Sequence, residues 1–117
     1  MLVGCSAPAP ADLTLSLVSD EGLLEAEVRV AAPVERGQNE LYLELRPRDA
    51  GASARLVAVD ATMAVHAHEA HAASIEPDGD GFRAGGLDLF MTGRWLVELE
   101  LQAGERRDTA SFPIDVP

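Results

Sequence analysis

Trp95-Leu-Val-Glu-Leu-Glu-Leu101 decides the fold. Trp95, Val97, Leu99 and Leu101 alternate with Leu96, Glu98 and Glu100, the period-two pattern of a β-strand with one buried face. The chain holds only one Trp, one Tyr and three Phe, so a Trp opening its most regular strand is where a sandwich core centres. Downstream, Ala103 to Arg107 reads as a turn, and Phe112, Ile114 and Val116 close the chain on a last strand. Upstream, Leu87, Leu89 and Met91 share one parity before Thr92-Gly93 turns the chain. Ser74-Ile-Glu76 and Phe82-Arg-Ala84 flank the turn Pro77 to Gly81.

Further back, the same alternation recurs. Leu13, Leu15 and Leu17 form one strand, and Leu24, Ala26, Val28 and Val30 a second after the turn Asp20-Glu-Gly22. Leu41, Leu43 and Leu45 follow Gly37-Gln-Asn39, Pro47 to Ser53 is a loop by composition, and Arg55 to Ala61 is a fourth strand. Seven or eight short strands at regular spacing indicate an all-β, antiparallel β-sandwich. Its bounds are residues 12–117; residues 1–11 are a lipobox remnant and a Pro/Ala tether.

At 117 residues the chain suffices for one core. That core is built mainly from Leu, Val and Ala, because 47% of residues are hydrophobic but only 4% aromatic. Twenty acids against nine bases, all arginine, give a net charge of −11. Such a surface repels nucleic acid and anionic membrane and attracts cations or a basic partner. No run of about 18 apolar residues occurs, so no segment reads as a membrane span.

Leu2-Val3-Gly4-Cys5 fits a lipobox, with Cys5 as the lipidated residue, and Ser6 to Ala11 follows as a small, Pro-rich tether. This reading expects an earlier start or a trimmed chain, since a secretory signal needs a charged region and an apolar region ahead of Gly4. It places the domain on the periplasmic or extracellular face, touching membrane only through its anchor. The competing reading is a cytosolic protein with a chance cysteine. With one cysteine in the sequence, no disulfide within the chain is expected.

Asp60 to His71, D-A-T-M-A-V-H-A-H-E-A-H, carries all three histidines and one of the three methionines. Imidazole and thioether are soft-to-borderline metal ligands, which points to copper. On an extended segment His66 and His68 face the same way with Cα atoms roughly 6.5 to 7 Å apart, close enough to share a metal at about 2.0 Å per bond. Met63 and His71 have the opposite parity to His66 and His68 respectively, and each needs a bend to converge. Met91 is the last candidate, and its parity with Leu87 and Leu89 also suits a core position. Thioether with imidazole favours Cu(I), whereas three imidazoles suit Cu(II) or Zn(II). The local structure is read as strand then loop, although Met63 to Ala73 is rich in helix formers.

The motif order Gly37-x-Asn39-x-Leu41, Ala61-x-Met63-x-x-His66-x-His68, Gly79-x-Gly81-Phe82 and Leu87-x-Leu89-Phe90-Met91-x-Gly93-Arg94-Trp95 resembles the YtkA-like family from Asp12 to the C-terminus. The resemblance implies a secreted, lipid-anchored or membrane-tethered immunoglobulin-like β-sandwich related to copper-handling domains. It carries Met63 and His68 onto matching positions. His66 stands where the family shows a second Met, and Thr92 where it tends to have Pro.

Other chemistry finds less support. Glu76-x-Asp78-x-Asp80-Gly81 opens like a calcium loop, but its twelfth position is Leu87 where a bidentate Glu is required; Asp-Gly there reads as a hairpin turn. No serine elbow, P-loop or Gly-x-Gly-x-x-Gly occurs, and His68-Glu-Ala-His71 lacks the spacing of a zincin. The expectation is therefore no enzyme. It is a binding protein that delivers or sequesters copper, with a copper acceptor or a membrane complex as partner. The alternative is a structural or protein-interaction sandwich without metal.

Overall fold

The computed structural model describes residues 12–117; Cys5, the lipobox and the tether lie outside the described residues. Nine strands follow one another: β1 (Leu13–Val18), β2 (Leu24–Val30), β3 (Gly37–Pro47), β4 (Ala54–Met63), β5 (His68–His71), β6 (Ser74–Asp78), β7 (Gly81–Leu89), β8 (Gly93–Ala103) and β9 (Arg106–Val116). They form one sheet in the order β1-β2-β3-β7-β6 and a second in the order β5-β4-β8-β9, with every pairing antiparallel.

The connectivity from β2 onward is that of an immunoglobulin-like sandwich. The order β2-β3-β7-β6 reproduces the A-B-E-D sheet, and β5-β4-β8-β9 reproduces C′-C-F-G. β1 is one strand added outside the first of these. The count is nine where seven or eight were expected. The surplus arises at His68–His71, expected as loop, which pairs with β4 and adds β5.

Alternation explains the packing. On β2 every second residue, Leu24, Ala26, Val28 and Val30, is buried while Glu25, Glu27 and Arg29 are exposed. On β8 the same holds for Trp95, Val97, Leu99 and Leu101, and Trp95 is fully buried. Burying each such large side chain contributes about 1.5–3 kcal/mol, and the two inner faces meet in one cluster.

Three polar residues enter this core, and each is satisfied. Asn39 donates its amide to the carbonyls of Glu35 and Gly37 at 2.8 and 2.9 Å, which fixes the chain entering β3. Asp108 occupies an inward position of β9, and its carboxylate accepts N–H bonds from Glu21 at 3.0 Å, Leu23 at 3.2 Å and Thr109 at 2.8 Å. Ser19 closes the same β1–β2 turn: its hydroxyl accepts the N–H of Leu24 at 2.9 Å and donates to the Leu24 carbonyl at 3.1 Å. One residue of the second sheet thus holds the first hairpin of the other.

Candidate functional site

β4 ends at Met63 and β5 begins at His68, so Ala64-Val65-His66-Ala67 is a four-residue hairpin turn. Two backbone bonds close it, from the N–H of His66 to the Met63 carbonyl at 3.2 Å and from Ala67 to Ala64 at 3.4 Å. Ala67 takes a left-handed conformation, φ 53°, the geometry that lets a loop of this length rejoin its strand. The bend that Met63 required is this turn.

Met63 and His68 are register partners across the hairpin. Directly opposed residues point to the same face with Cβ atoms about 4.5–5.5 Å apart. That face is the inner one: Met63 is buried and His68 half-buried. The His66 and His68 rings lie with centroids 5.9 Å apart. A metal bound at about 2.0 Å by a nitrogen of each ring allows centroids up to roughly 6 Å apart, so the observed spacing is within reach of a shared ion.

The neighbours of His68 are apolar, while His66 is exposed on the turn. His68 meets the edge of Phe90 at 5.1 Å, and Phe90 meets Trp95 edge-on at 5.3 Å. The Trp95 indole N–H donates to the Met91 carbonyl at 2.9 Å, tying the β7–β8 turn to the base of β8. A Cβ placed on Gly93 would come within 3.1 Å of the Met63 methyl, so the glycine leaves room for the thioether. Sequence reasoning passed over Phe90 as a neighbour of His68. Its place beside Met91, opposite in parity to buried Leu87 and Leu89, was the available signal.

His71 does not join. β5 is a regular strand, so His71 emerges on the outer face with Glu69, away from inward Ala70 and His68. There its Nδ1 is hydrogen-bonded to Asp60, its register partner, and that bond and the negative charge of Asp60 raise its pKa above the usual value. Met91 is partly buried against the core, in keeping with the parity it shares with Leu87 and Leu89. Among the described residues no three His, Cys, Asp or Glu side chains are grouped to hold a metal. Met63 is the thioether in register with His68.

The acidic stretch Glu76 to Gly81 is a hairpin: Asp78 pairs with Gly81, and Glu76 is engaged by Arg83 at 2.7 Å. A concavity of about 380 Å³ lies beside that turn against Glu27, Arg29, Tyr42 and Glu44, on strands of the first sheet and away from the histidines. In it the Arg29 guanidinium stacks over Tyr42 at 4.4 Å and pairs with Asp12 at 2.9 Å.

Compared with known protein families, with curated proteins and with solved structures, the chain matches none.

Proposed function

We propose that this chain is a lipid-anchored domain of the periplasmic or extracellular face that binds copper at the β4–β5 hairpin, for delivery or sequestration. The reading rests on one observation: Met63 and His68 are paired in register on the inner face while the His66 ring stands beside that of His68. One thioether with two imidazoles is a donor set for Cu(I). The YtkA-like resemblance supports the same pair, and the lipobox at Cys5 supports the location. The net charge of −11 favours a cationic ligand and a basic acceptor protein.

The test is titration of the protein with Cu(I) under reductant, Cu(II) and Zn(II), followed by imidazole and methionine methyl NMR signals. Met63, His66 and His68 are expected to shift together at one equivalent of Cu(I), with His71 unmoved. Met63→Leu conserves volume and should cost less than about 1.5 kcal/mol of stability while weakening Cu(I) at least tenfold, about 1.4 kcal/mol. No response to any of the three metals below about millimolar, roughly −4 kcal/mol, overturns the reading.

A second reading draws on the exposed apolar tip of the same hairpin, where Val65 is 88% exposed. In it the domain is a non-catalytic protein-interaction sandwich. Such a module would keep its partner when His66 and His68 are both changed to Ala.

A further inference from the structure

The two sheets differ by one strand, and the surplus strand is β1. Its inner-face residues Leu13, Leu15 and Leu17 stand opposite Val30, Val28 and Ala26 of β2. The three β2 residues are buried, yet Leu13 is 37% exposed and Leu15 and Leu17 are only half-buried. The first sheet therefore overhangs the second, with a row of leucines on the overhang.

A strand at a sheet edge presents unpaired N–H and C=O groups to any further strand, and native edges are usually blunted against this by charge, proline or shortness. Three of the four edges here are blunted. β6 carries Glu76, Pro77 and Asp78, β5 has four residues including Glu69, and β9 carries Arg106, Arg107, Pro113 and Asp115. β1 reads Leu-Thr-Leu-Ser-Leu-Val, with no charge, no proline and an unbroken register. Among the described residues it pairs on one side only.

We propose that β1 is a self-association edge: two copies of the chain pair β1 against β1, antiparallel across a two-fold axis, and join their first sheets into one. The occupant is a second copy because the strand is self-complementary. An axis through Leu15 sets Leu13 opposite Leu17 of the partner subunit and Leu15 opposite its own equivalent, so both leucine rows fall on one face and cover each other. Charge points the same way. Two chains of net charge −11 repel over most of their surfaces, and β1 is the edge at which neither brings a charge. A two-fold pairing also closes on itself and consumes the edge, which stops propagation into fibres.

A six-residue strand makes a small interface, below about 1,200 Å² and in the weak class, so a dissociation constant on the order of 10–100 µM is expected. The experiment is sedimentation velocity on the full chain expressed without lipidation, under reductant, which keeps the Cys5 thiol from bridging copies, from about 1 µM to about 1 mM. The weight-average mass should rise from monomer towards dimer and do so at lower concentration in high salt, where the mutual repulsion is screened. Leu15→Lys places a charge on the edge and should raise the midpoint at least tenfold. Hydrogen exchange on the unchanged protein reads the same contact without a substitution: β1 amides directed away from β2 should gain protection as concentration rises. A monomer at every concentration and salt overturns the proposal, as does association in which β1 exchange stays independent of concentration.

Discussion

Two hairpin turns of this sandwich are built on opposite principles. The turn between β1 and β2 is pinned from the other sheet: Asp108 takes the N–H groups of Glu21 and Leu23, Thr109 donates its hydroxyl to Asp20 at 2.6 Å, and Ser19 bridges to Leu24. The turn between β4 and β5 is closed by two long backbone bonds, carries a non-glycine residue at positive φ, and exposes Val65 almost completely. Among the described residues no side-chain hydrogen bond reaches Ala64 to Ala67. In the first turn the polar groups are consumed by the fold. In the second the turn stands on its own backbone, with the His66 ring beside that of His68.

The largest effect expected from breaking this contrast is at Asp108. Asp108→Ala removes the acceptor of three part-buried N–H groups, each bond to the carboxylate contributing about 1 kcal/mol, and a loss of about 3 kcal/mol in urea unfolding is expected. Burial pushes the Asp108 carboxyl up, but the N–H groups of Glu21, Thr109 and Leu23, which donate to it, outweigh that and hold its pKa below the usual value. Its contribution is therefore complete above the unfolded carboxyl pKa of about 3.9 and is lost as pH falls through the lower folded value. Asp108→Asn should flatten that acid limb of the stability curve.

At the loose turn the change runs the other way. Ala67→Gly removes the steric cost of the left-handed conformation and should stabilise the protein by about 1 kcal/mol, read as a higher urea midpoint with an unchanged slope. A loss of stability there would mean that the turn is held by more than its backbone.

The smallest effect belongs to His71, just beyond the turn. Its pKa is raised by Asp60, so any stability it lends is full below the unfolded value of about 6.5 and disappears as pH rises through the raised folded value. NMR titration should find the His71 pKa above the ordinary histidine value of about 6.5, and Asp60→Asn should bring it down.

The bounds of β2 and the core of β8 were legible because each alternates without interruption, and Trp95 fell where its pattern put it, at the centre of the core. β5 was not, since Ala and His carry little strand preference and only pairing with β4 makes the segment extended. Nor was the start of β9, where Arg106 and Arg107 look like turn residues although they lie on the strand. Asp108 shares parity with Ala110, Phe112, Ile114 and Val116. An acid on the inward parity of a strand was the signal for the buried anchor. At the candidate site, parity alone separated His71 from His68, but the alignment of Met63 with His68 depends on turn length, which composition does not fix.

Trp95 is the only indole in the chain, is sealed from water, and is joined edge-on through Phe90 to the His68 ring. Events at the hairpin are thereby wired to a chromophore that the fold already holds still. A redox-active ion seated there, if the proposed copper reading holds, would dim the protein's ultraviolet emission. The proposed binding could thus be read from the protein's own light, with no label attached.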